Sequence, residues 1–93
     1  MVSIKEELEV AKTAKAAVKA LLAATSKTAV LATLKDAYRA AVLNLSSGGV
    51  LNEARGKVGI ALSNIMHRQP TKERIDEAKS AIDAWIKELE RSL

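Results

Sequence analysis

The chain is 93 residues long, 48% hydrophobic and 28% charged, with a formal net charge of +4. That size suits one domain, that mixture excludes a disordered chain, and no apolar run nears the roughly 20 residues that span a bilayer. Zero cysteines exclude disulfides, thiolate metal sites and thiol catalysis.

Residues 1–93 are therefore expected to form a single domain. Met1 leads almost directly into Glu6, Glu7, Leu8 and Glu9, which matches neither a secretory nor a transit signal, so a cytoplasmic location is expected. The chain has no Phe, one Trp (Trp85), one Tyr (Tyr38) and one Pro (Pro70). Of its 17 alanines, 12 precede residue 45. Alanine is the strongest helix former, and its small side chain lets helix axes come close. All four glycines (Gly48, Gly49, Gly56 and Gly59) fall in one window, so the regular turn punctuation of a β-sandwich or barrel is missing.

The pattern predicts an all-α fold, a small antiparallel bundle of four helices over about 4–24, 27–45, 50–67 and 71–91. Ser3 and Glu6 have the spacing of a capping box and open the first helix, whose apolar stripe is Ile4, Leu8, Ala11, Val18, Leu21 and Leu22. Lys12, Lys15 and Lys19 form a ridge beside it. No glycine or proline separates this helix from the next, so one long rod over 4–45 is the alternative. The apolar phase argues against the rod. At about 100° per residue, the second stripe (Val30, Leu34, Ala37, Tyr38, Ala41, Leu45) points roughly 150° away from the first. A turn is expected at Thr25, Ser26, Lys27 and Thr28, whose hydroxyls suit a cap.

The second helix carries apolar residues around most of its circumference, with Ala29, Ala32, Ala40 and Leu43 off the main stripe. Such a helix is either central or covered by another molecule. Ser46, Ser47, Gly48 and Gly49 read as a loop. The third helix turns Leu51, Ala54, Val58, Leu62 and Ile65 inward and stops before Pro70. Thr71 caps the fourth, where Ile75, Ala78, Ile82, Trp85 and Leu89 make a heptad seam.

Chemistry-bearing motifs are scarce. His67 is the sole histidine and sits where a helix C-terminus favours a basic group. No zinc-protease, calcium-loop, phosphate-loop or dinucleotide motif occurs. Carboxylate pairs such as Glu73 with Asp76 or Glu77 lie among lysines and arginines and read as a solvated face. The expectation is a protein without catalytic residues, metal, cofactor or small-molecule substrate.

Two features point to partners. Asn52, Gly56, Gly59 and Ser63 share one face of the third helix, and each interior glycine costs about 1 kcal/mol relative to alanine. Close helix packing, within the chain or across a dimer two-fold, would offset that cost. A non-helical turn over Gly56, Lys57, Val58 and Gly59 that lays N–H groups on a phosphate, and plain fraying, are the alternatives. With Ala40 and Leu43 these residues form the expected protein interface, and a homodimer or adaptor-like or inhibitor-like docking is the leading reading. The second feature is basic charge: residues 1–44 hold seven basic and four acidic side chains. Lys12, Lys15, Lys19, Arg55 and Lys57 are the candidates for the runner-up, a nucleic-acid-binding accessory protein. Binding of the first helix to a membrane surface ranks third, because it has no Trp or Phe anchor.

Overall fold

In the computed structural model, which describes residues 3–21, 28–43 and 49–93, the chain is an all-α four-helix bundle. The helices are α1 (Ile4–Ala20), α2 (Thr28–Leu43), α3 (Val50–His67) and α4 (Lys72–Arg91). Two expected features, the turn over Thr25–Thr28 apart from Thr28 itself and the loop residues Ser46, Ser47 and Gly48, lie outside the described residues, as do Leu22 and Leu45. Side-by-side packing of α1 and α2 removes the rod alternative, because two halves of one rod cannot pack on each other.

Local signals set the helix ends. Ser3 Oγ accepts the Glu6 backbone N–H at 3.1 Å, and Thr71 Oγ1 accepts that of Arg74 at 3.3 Å. Gly49 precedes α3 at φ 96°, a left-handed conformation in which an L side chain is strained. Between α3 and α4, the Arg74 guanidinium donates to the Gln69 carbonyl at 2.7 Å and ties the linker around Pro70 to the first turn of α4.

Each helix packs on two neighbours, in the cyclic order α1, α2, α3, α4 and back to α1. Among the described residues the diagonal pairs, α1 with α3 and α2 with α4, have no backbone approach. Neighbours are antiparallel: Thr28 and Leu31 lie with Met66 and His67, while Val42 lies with Gly56 and Gly59. The core is built of small and medium side chains. Ala11, Ala14, Ala37, Ala41 and Ala78 are fully buried beside Val18, Leu34, Val58, Leu62 and Ile82. Trp85 is the one large aromatic inside, and the whole predicted α4 seam is buried with it.

Two charged residues share this core. Glu7 is fully buried and Arg55 is 7% exposed. Arg55 forks onto the Glu7 carboxylate, Nε to Oε2 at 2.8 Å and Nη2 to Oε1 at 2.6 Å. The Trp85 indole N–H donates to the same Oε2 at 2.7 Å. One carboxylate thus joins α1 to α3 across the diagonal that the backbones leave open, and also to α4. Charge-assisted, bidentate geometry of this kind is the strong class of hydrogen bond. Among the described residues no buried side-chain nitrogen or oxygen lacks a partner.

The surface pair of Lys15 with Asp83, at 2.7 Å, is half solvated and contributes at most about 1 kcal/mol. The buried pair behaves differently. Removing one partner strands a charge in the core and costs about 3–5 kcal/mol, whereas replacing both with apolar residues is often neutral. Arg55→Met alone is therefore expected to lower urea-unfolding stability by about that amount, and Glu7→Gln combined with Arg55→Met to recover part of it, because the glutamine amide oxygen still accepts the Trp85 indole N–H while the buried charge is gone. Equal losses for the single and double variants would contradict this account of the pair.

Candidate interaction face on α2 and α3

The outward seam between α2 and α3 forms the candidate site. At one end lies a cleft of about 440 Å³ lined by Thr28, Leu31, Ala32, Lys35, Tyr38, Arg39, Met66 and His67. Along the same seam a second cleft of about 280 Å³ is lined by Tyr38, Val42, Gly56, Gly59, Ile60 and Ser63. Tyr38 lines both, so the two clefts lie end to end along the seam, a groove in two parts. Leu31, Tyr38, Val42 and Met66 are half-buried along it, and Ile60 stands 68% exposed beside it.

Helical phase explains why these residues meet. Residues 31, 35, 38 and 42 recur at steps of three and four on α2, and 56, 59, 60 and 63 do so on α3. Antiparallel pairing then faces the two rows toward each other. Among the described residues neither Lys35 nor Arg39 has an ion-pair partner, and both are exposed.

The expected interface residues divide between inside and outside. Gly59 is buried by its own chain: a Cβ there would lie 3.3 Å from Val42 Cγ2 and 3.8 Å from Tyr38 Cε2. Its close packing is therefore within the bundle, and no second molecule is needed to explain it. Ala40 is 9% exposed and faces inward, which corrects its placement off the buried stripe. Gly56 is half-buried, and a Cβ built on it would meet nothing within 4 Å. Ser63 is half-buried on the groove wall. Asn52, half-buried, lies one turn before Gly56, and Leu43, one turn after Arg39, is 79% exposed. Residues 56–59 lie inside continuous α-helix, which removes the alternative of a non-helical phosphate-binding turn.

The basic candidates do not form one surface. Arg55 is buried on Glu7 and is withdrawn from any phosphate-tracking set, because its fork is already filled. Lys12 and Lys19 are exposed, but Lys15 between them is held by Asp83 of α4. Lys57 is on the opposite flank of α4, in a cleft that also contains Asp76 and Glu77. Among the described residues no group of three or more His, Asp or Glu side chains is placed to share a metal ion. Among the described residues no helix is long and apolar enough to cross a membrane.

No protein-family model, curated protein or solved structure matches the chain.

The apolar stripe of the second helix puts Tyr38 inward, and helical spacing alone gives Ile60 and Met66 no role; in the structure all three border the seam. The available signal was Ile60, a large apolar side chain off the buried stripe and one turn from Gly56. The glycines also give a paired test. Gly56→Ala adds a methyl group into open space and is expected to stabilise the fold by about 0.5–1 kcal/mol. Gly59→Ala forces Val42 to move, so its gain in helix propensity is expected to be cancelled or reversed. Thermal unfolding of both variants checks the difference, and an equal gain at the two sites would contradict the packing described.

Proposed function

We propose that this protein is a non-catalytic interaction module that docks a protein partner, another chain or a second copy of itself, on the outward α2–α3 seam. The observation that carries this reading is the groove itself, with Ile60 68% exposed at its edge. Isolated exposed apolar residues are common on protein surfaces. Here the apolar groups are gathered in a concave strip, and a concave strip with an apolar centre and polar rim is the usual form of a docking surface. Gly56 supports the reading, because it weakens its helix without serving packing within the chain. A partner side chain seated over Gly56 supplies the missing reason.

Self-association is one form of this function. It would add buried area to a core made largely of alanine and short aliphatic side chains. The nucleic-acid reading is the weaker one, since it has lost Arg55 to the core and Lys15 to Asp83.

Site-specific photo-crosslinking inside producing cells tests the docking reading. A photo-reactive residue at Ser63, on the groove wall, is expected to give discrete protein adducts. The same residue at Ala16, exposed on α1, is the control. Gly56→Ala should reduce the Ser63 adducts while raising thermal stability, a combination that a purely structural glycine would not produce. Adduct yields at Ser63 no higher than at Ala16 would remove the proposal.

A further inference from the structure

We infer that the occupant of the seam is an amphipathic helix of another protein, with its apolar face on the groove floor and its acidic side chains over Lys35, Arg39 and His67. The inference rests on the docking reading above and names the partner's chemistry.

Shape comes first. The groove follows α2 from Thr28 to Val42, which at 1.5 Å per residue is about 21 Å, or four turns of a docked helix. A pocket for one small molecule has no need of that length. A helix laid along a groove with anchors every third or fourth residue is a standard recognition mode and requires it. The small residues on the α3 wall (Gly56, Gly59 and Ser63) leave room for a second backbone to come near.

Charge comes second. The groove end at Lys35, Arg39 and His67 is basic, and no residue lining either cleft of the seam is acidic. Floor and rim together therefore ask for a ligand with a long apolar face and negative charge toward one end. The same observation disfavours a second copy laid with the two basic ends together, where each would bring Lys35 and Arg39 and no lining carboxylate; Glu53 is exposed at the other end of the seam, one turn before Gly56. Like charges across an interface suppress the wrong partner. An acidic helix pairs with both.

Two stapled peptides of about 14 residues, the length that spans the groove, provide the probe. Both carry leucines along one face; one has flanking glutamates, and its twin has lysines at those positions. Fluorescence anisotropy is expected to show the acidic peptide binding at least about tenfold tighter than the twin, with affinity falling as salt rises. Lys35→Glu combined with Arg39→Glu, both exposed and checked for fold by circular dichroism, should invert the preference. Equal affinity for the two peptides, no binding of either up to millimolar concentration, or indifference to the double reversal would overturn the inference. Saturation by decanoate without peptide binding would assign the groove to a small amphiphile and also overturn it. The two failures are separable. Ser63 adducts consisting only of a second copy would leave docking standing and remove the acidic helix. Peptide binding without any cellular adducts would remove the docking reading and, with it, the acidic helix as occupant, although the groove's charge preference had been met.

Discussion

A single buried carboxylate governs how this bundle is assembled. Glu7 lies on α1, yet its partners Arg55 and Trp85 lie on α3 and α4. The pairing crosses a diagonal along which the helix backbones make no contact. Alanine-rich faces are poor at choosing a register, because small knobs slide past one another at low cost. A charge in the core has only one good position. Sliding α3 by one turn would move the Arg55 backbone by about 5.4 Å, far outside hydrogen-bond reach of Glu7, and leave two ions desolvated. The pair adds little net stability over an apolar replacement, but it makes the wrong registers expensive. A buried polar group that specifies register in a helical assembly works in the same way.

The outward seam follows from that register. With Arg55, Val58, Leu62 and Ile65 directed inward, helical phase places Gly56, Ile60 and Ser63 on the outer side of α3. Gly59 lies between the two faces and sets the approach of α2 through Val42 and Tyr38. The contact that closes the interior therefore also forms the wall of the groove outside. Lys35 and Arg39 complete that groove from α2 as exposed cations with no ion-pair partner among the described residues.

Much of the fold was legible in the residues alone. The Ser3 and Thr71 caps, the start of α3 after Gly49, the stop before Pro70 and the buried α4 seam all follow from short-range chemistry and helical spacing. The buried pair was missed because charged residues are normally solvent-facing. Its signal was nevertheless present. Glu7 falls in step with Ala11, Ala14, Val18 and Leu21, and Arg55 with Leu51, Val58, Leu62 and Ile65, so opposite charges occupy two inward rows. The candidate site was only partly legible. Gly56 and Ser63 could be singled out on one helix, but the groove joins them to Tyr38, Lys35 and Arg39 on another. That juxtaposition depends on which helices are neighbours, and spacing along a single chain does not encode it.

The indole N–H of Trp85 reports directly on the central interaction, because Trp85 is the sole tryptophan and gives one isolated indole signal in a proton–nitrogen NMR spectrum. A donor locked at 2.7 Å onto a buried Glu7 oxygen should exchange with solvent only when the whole bundle opens. The account predicts that its exchange free energy equals the global unfolding free energy from urea titration, and that Glu7→Leu abolishes the indole shift characteristic of a charged acceptor. Rapid exchange of the indole proton in the folded protein, or a signal unchanged by Glu7→Leu, would contradict it.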